Sequence, residues 1–289
     1  MVDLIRAWLP GPGPGVAGDP GLFPPGTAAR RVNAETALLL GGGRALLMQL
    51  AHPMVAAGVA DHSRFRDDPL GRLANTLDLT LTVSFGDEGQ RRDAAARVAE
   101  THRGVTGSRD GQPYRALDPD LLVWVHATLV DSALVTYGRF VGPLGPAARA
   151  RYYEDMRRQA AVFGVPPGAL PSSFERFERY VAETVRELRV TSEAREVARA
   201  VLDPPVPPAL RPVARAMAFV TVGLLPAPIR DSYGLIWDGG REWLLSLVAA
   251  AIRATVVPVL PDGLRRWPHA RDADRRCRGS ASMHARAIL

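Results

Sequence analysis

The chain has 289 residues, 47% of them hydrophobic, which suffices for one large domain with a substantial core and excludes general disorder. Its formal charge of +6 comes with arginine as the only basic residue besides histidine, since no lysine occurs. The arginines are spread over most predicted helices without a nucleic-acid-binding motif. Composition therefore argues against a nucleic-acid partner and leaves peripheral contact with an anionic membrane surface open.

The lone cysteine, Cys277, excludes a disulfide framework and any cysteine-based zinc or iron–sulfur site, and a reducing, cytoplasmic compartment is expected. Residues 1–29 are rich in proline and glycine, carry no signal-peptide pattern, and are expected to wrap irregularly over the domain surface. Residues 44–60 read as a helix that Pro53 must kink, because proline lacks the N–H and frees a carbonyl near Gln49. The apolar stretch 37–60 is interrupted by glycines 41–43, Arg44, His52 and Pro53, while 248–260 is short and carries Arg253. No transmembrane helix is expected from either. Glycines 41–43 followed by Arg44 also lack the preceding strand that a phosphate-binding loop needs.

Further starts are legible from caps. Asp68-Pro69 and Asp118-Pro119 each place an acid before a proline at the first helical position, and Ser172 or Ser173, Thr191 and Asp238 serve later helices. Gly86, Gly107 and Gly164 read as stops. Residues 79–85 continue the helical period that starts at Pro69, and no βαβ alternation, internal repeat or heptad run occurs. The reading is a single all-α domain of about nine or ten helices over residues 30–268, followed by a disordered basic tail over 269–289.

Several polar groups do not fit a plain bundle. Arg72, Asn75 and Thr76 share one helical face opposite Leu70, Leu73, Leu77 and Leu81, on a helix that reads as buried nearly all round. Such groups need partners; Arg72 can pair with Asp67 or Asp68, and Thr76 can bond back to the backbone. His102, in a helix predicted over 97–107, points inward with Val98 and Val105. A single inward histidine is ordinarily a hydrogen-bonded core residue, yet a neutral imidazole is also the standard ligand for haem iron in a helical protein. His126, among Leu122, Val125, Leu129 and Val130, reads as a core histidine. His52 can cap the break at Pro53, meet a cofactor edge or face a neighbour, and His62 opens a loop. No His-Glu-x-x-His, Glu-x-x-His pair or nucleophile elbow is present.

These residues resemble a known family. Leu50-Ala-His-Pro-Met-Val-Ala-Ala-Gly-Val-Ala-Asp-His-Ser-Arg-Phe65 and Asp68-Pro-Leu-Gly-Arg-Leu73 are similar to the signature of the DUF2236 family. So are His102-Arg-Gly-Val-Thr-Gly107, Asp118-Pro-Asp-Leu-Leu-Val-Trp-Val-His126, Arg151-Tyr-Tyr153 and Tyr233-Gly-Leu235. That family contains the catalytic domains of the latex-clearing (rubber) oxygenases and the mycophenolic-acid side-chain oxygenase. The resemblance spans about residues 19–268 and implies a globin-like fold enclosing haem b, with His102 as the iron ligand. The distal Arg-x-x-Lys-Thr of the rubber oxygenases reads Arg72-Leu-Ala-Asn-Thr76 here, so Asn75 replaces the lysine. Arg72 and Thr76 are the implied catalytic donors, while Asn75, His52 and His126 are implied to line or support the cofactor pocket. Residues 53–60 hold no carboxylate to act as the base in rubber cleavage. The expectation is therefore a haem-dependent oxygenase acting with O2 on a smaller apolar molecule. Its alternative is a non-catalytic protein of the same fold that binds haem or an apolar ligand.

Overall fold

The computed structural model describes residue 9 and residues 11–62, 69–109 and 111–287, leaving out the side chains of residues 69, 70, 72 and 279–287. The predicted cap at Asp68 and the loop after His62 lie outside the described residues. In chain order, α1 spans Ala28–Asn33, a 3-10 turn Thr36–Gly41, α2 Gly42–Leu50, α3 Pro53–His62, α4 Pro69–Phe85 and α5 Glu88–Arg103. A two-stranded hairpin follows, β1 Thr106–Arg109 and β2 Gln112–Arg115. Then come α6 Pro119–Phe140, α7 Pro146–Val162, α8 Phe174–Glu187, α9 Ser192–Leu202, α10 Arg211–Leu224 and α11 Ala227–Tyr233. The chain ends with α12 Gly239–Ala251, a π-turn Ile252–Val256, α13 Val257–Val259, α14 Asp262–Arg265 and α15 Pro268–Ala287. The fold is all-α with one small hairpin. It has more segments than the nine or ten read from sequence, because prolines and short turns subdivide the periodic runs.

The caps act as read. Asp118 accepts from the N–H of Asp120 with Pro119 at the first turn, and Ser173, Thr191 and Asp238 accept from the third residue of α8, α9 and α12. Pro53 divides residues 44–60 into α2 and α3 rather than merely kinking them. The last carbonyls of α2 accept from the Ala51 N–H, and two aromatic residues of the core add further donors. Trp124 Nε1 donates to the Met48 carbonyl at 3.2 Å and Tyr233 Oη to that of Leu47 at 2.8 Å.

Helix α6 runs through the centre. Its Trp124, Ala127, Val130 and Tyr137 join Leu47 and Met48 of α2, Tyr152 and Tyr153 of α7, Phe177 of α8 and Ile229 of α11 in one core. The glycine triplet lets backbones approach here. A Cβ on Gly41 would collide with the Thr136 hydroxyl of α6, and one on Gly43 with that of Thr221 on α10. Arg44, almost wholly buried, ties the same three helices together: it donates to the Leu224 carbonyl at 2.7 Å, to Ser132 Oγ at 2.7 Å and to Asp131 at 2.6 Å.

Two expectations are corrected. Pro268–Ala287 form α15, where the sequence suggests a disordered tail. Its Ala270 and Ala273 pack with Trp267, Leu9, Leu81 and Phe85, and Asp274 pairs with Arg30 at 2.6 Å and Arg266 at 2.5 Å. Small apolar residues plus paired charges make a buried face that bulk composition conceals. Helix α4 is not buried all round: Leu81 to Phe85 are buried, whereas Leu73, Asn75 and Thr76 are exposed. The glycine-rich start of the described chain lies over the α4–α5 connection, where Gly11 N–H donates to Asp78 at 3.1 Å and Val16 N–H to Asp87 at 2.8 Å.

Candidate functional site

Helices α4 and α5 form a helical hairpin closed by Gly86 and Asp87. Asp87 Oδ1 accepts from Gln90 N–H at 2.8 Å while Gln90 Oε1 accepts from Asp87 N–H at 3.0 Å, a reciprocal cap that fixes the turn. At about 1.5 Å per residue, Thr76 lies roughly 14 Å and Arg72 roughly 20 Å up α4 from that turn, and His102 roughly 21 Å up α5. The Arg72–Thr76 stretch and His102 therefore occupy the same open end of the hairpin.

Beyond His102, α5 stops at Arg103, short of the predicted end at Gly107, and the chain turns into β1 and β2 with Thr106 opposite Arg115 and Gly107 opposite Tyr114. Asp110-Gly111 is the sequence signal for this hairpin, and Gly111 takes φ +77°, as such a turn demands. Gly107 is needed within the strand because a Cβ there would occupy the position of the Tyr114 hydroxyl.

The hairpin is fastened to the end of α3. Tyr114 Oη donates to Asp61 at 2.6 Å, Arg109 donates to the other Asp61 oxygen at 2.7 Å, and His62 Nε2 lies 2.9 Å from the Thr106 carbonyl. The Tyr114 hydrogen bond, with Arg109 adding to it, holds the Asp61 carboxyl below the usual carboxylate range. Burial and the same carboxylate push the Tyr114 phenol up to about 12. Replacing Tyr114 with Phe is expected to cost ~1 kcal/mol, below the usual range for a bond to a charged group because Asp61 is partly solvated. The loss should concentrate in the hairpin, read as faster amide exchange at Thr106–Arg115 with α6 unaffected.

Between the hairpin, the end of α5 and the start of α6 lies an open groove of about 750 Å³. Half-buried His102 contributes to it, with Arg103, Tyr114, Arg115, Leu117 and Pro119. Leu117 is 39% exposed, an apolar side chain held at the rim of a site with an imidazole and two guanidiniums. That donor set fits a haem. The imidazole would serve an iron, Pro113, Leu117 and Pro119 would meet a macrocycle, and the guanidiniums its carboxylates; Thr106 and Asp118 also line the groove, and Arg103 pairs with Glu100. Among the described residues no three histidine, cysteine or acidic side chains gather as a cage for a bare metal ion.

The other predicted residues are placed differently. Asn75 and Thr76 are exposed on α4 and are not among the residues lining the His102 groove; the Arg72 side chain lies outside the described residues. His52 sits at the α2–α3 break, where its Nδ1 accepts from Met54 N–H at 3.3 Å. Burial lowers its pKa, opposed by Asp118 and Asp120, which places it near the Asp118 end of the groove. His126 is buried in mid-α6 with Nε2 unpartnered, and burial pushes its pKa down to about 4, so it is neutral at physiological pH. Arg103, Tyr114, Arg115 and Leu117 were not singled out from sequence, and only the hairpin signal at Asp110-Gly111 pointed to their grouping.

The fold is that of an all-α domain with His102 at an open groove beside its small hairpin. Residues 29–254 match the family described as ER-bound oxygenase mpaB/B'/Rubber oxygenase, catalytic domain, and the chain belongs to that family. It is 30% identical over 219 residues to the uncharacterized protein Mb2261 of Mycobacterium bovis and equally to the uncharacterized protein Rv2237 of Mycobacterium tuberculosis. Each alignment covers 72% of this chain and 86% of the relative. No solved structure matches.

Proposed function

We propose that this protein is a cytoplasmic haem-dependent oxygenase that uses dioxygen to oxidise a small apolar molecule of isoprenoid or lipid type. The observation that carries the reading is the half-buried His102 at an apolar-rimmed groove, in a chain that belongs to an oxygenase catalytic-domain family. Haem b, when bound, would supply the iron at which dioxygen is activated. His102 would hold that group through its imidazole, and Arg103 and Arg115 would take its carboxylates. Tyr114, Leu117 and Pro119 would exclude water from its edge. Arg72 and Thr76, at the same end of the helical hairpin, carry the hydrogen-bond donors suited to stabilise negative charge developing on oxygen. Asn75 between them would bring an amide, a donor and acceptor without positive charge, to that end of the helical hairpin.

One observation favours a second reading, a non-catalytic protein that binds haem or an apolar ligand: Asn75 and Thr76 face solvent and do not line the groove with His102. Dioxygen uptake by haem-loaded protein, offered a panel of isoprenoids and fatty acids, separates the two. Oxygenase function predicts substrate-dependent uptake that His102→Ala abolishes. Haem retention without uptake on any member of the panel would leave the binding reading standing and overturn the enzymatic one.

A further inference from the structure

The π-turn at Ile252–Val256 precedes Pro258, whose ring crowds the carbonyl four residues back and whose nitrogen cannot donate. Widening the helix there lets α12 continue into α13, so Gly239–Val259 forms one rod of 21 residues whose most apolar 18-residue window has mean hydropathy 1.5. Residues 248–260 alone are too short to cross a membrane. By length and composition this rod and α6 both suffice, but α6 is 61% buried and is a core helix, whereas the rod is only 17% buried.

One edge of the rod is committed to the protein. Leu245 and Ala249 pack with Val220 and Leu224 of α10, and Glu242 accepts from Arg139 at 2.5 Å and from Trp237 Nε1 at 3.0 Å. The opposite edge is apolar too: Trp243, Leu244, Leu247 and Val248 recur at helical spacing and face outward, continuing to Val256 and Val259. Trp243 is 66% exposed and Val259 76%. Leu210 and Val213 at the start of α10 and Ile236 before α12 extend the surface. Apart from these, the exposed large hydrophobic residues among the described residues are only Val16, Leu73 and Leu117.

We infer that this α10–α12 face docks in the plane of an anionic membrane surface. Charge selects that occupant. Arg211, Arg215 and Arg253 are exposed on the same elements. The carboxylates of α12 and its cap are engaged, Glu242 with Arg139 and Asp238 with Arg241 at 3.6 Å. The three exposed arginines outnumber the exposed carboxylate beside Arg211 and Arg215, Asp203, so a second copy would set like charges together, whereas anionic headgroups complement them. An outward tryptophan on an apolar stripe flanked by arginine is the pattern of a helix lying in the interface. Lying flat keeps Glu242, Arg241 and the packed Leu245 edge out of the hydrocarbon, which spanning would not. The inference is independent of haem.

Flotation of the full chain with vesicles of phosphatidylcholine alone, and of phosphatidylcholine mixed with phosphatidylglycerol, tests it. Binding to the anionic vesicles is expected, weakened by salt, with Trp emission quenched by brominated lipid. Leu247→Glu and Val259→Glu should each lower binding roughly tenfold or more, since each removes apolar contact and inserts an anion. Arg211→Gln with Arg215→Gln should flatten the salt dependence. All these side chains are exposed, so near-ultraviolet circular dichroism should stay unchanged. Failure to float with either vesicle overturns the inference. So does a concentration-dependent dimer in sedimentation velocity that Leu247→Glu dissolves, which would assign the face to a second copy.

Discussion

Arg44→Met is expected to cost about 3–5 kcal/mol of folding stability, the range for removing one partner from a buried charge network. The guanidinium joins the Leu224 carbonyl, Ser132 Oγ and Asp131 across α2, α10 and α6. Methionine fills much of the volume but leaves the carbonyl and hydroxyl unpaired in the core. Asp131 keeps 22% of its side chain in solvent, so part of its loss is recovered by hydration and the lower half of the range is favoured. A shift in urea midpoint at unchanged slope would measure it. A change below about 1 kcal/mol would show that the three helices are held by apolar packing alone.

In the sequence Arg44 stands out as an interruption of an apolar run and as the residue after a glycine triplet, and neither feature reveals its partners. Signals confined to neighbouring residues were legible: the caps at Asp118, Ser173, Thr191 and Asp238, and the break at Pro53. Each depends on a local backbone demand that few residue types meet. Long-range pairings were not legible, because nothing near Arg44 names Asp131 or Leu224, and nothing near glycines 41–43 names Thr136 or Thr221. Helix α15 is hidden by composition: its buried face pairs Ala270 and Ala273 with the polar His269, Asp272 and Arg276. The hairpin after His102 was missed although Asp110-Gly111 signals it, because the helical period through Val105 was followed past Gly104. Since that hairpin builds half the groove, the imidazole was found from sequence but not the walls around it.

The second large effect is in pH. Burial pushes His126 from 6.5 down to about 4 in the folded chain, so between those values the unfolded chain takes up a proton that the folded one refuses. The stability contribution is complete above pH 6.5, falls as pH drops towards 4, and is level below that. A shift of this size corresponds to on the order of 3 kcal/mol. His52, also lowered by burial, adds in the same direction, while the depressed carboxylates Asp78, Asp87 and Asp274 act only at lower pH. Replacing His126 with Leu should flatten urea midpoints between pH 7 and 4.5 and change neutral-pH stability little, since removing the unpartnered buried Nε2 offsets the loss of the ring's bond to the Met156 backbone. An equally steep loss in the variant would assign acid sensitivity to other groups.

His126 is also the internal control for the central claim that His102 is the haem ligand. Haem titrated into the purified full chain, followed by its Soret absorbance before and after dithionite, measures this most directly. The account predicts a saturable Soret band with a redox-dependent shift, lost in His102→Ala and retained in His126→Leu. No band in the wild-type protein, or a band that survives His102→Ala and disappears in His126→Leu, would contradict it.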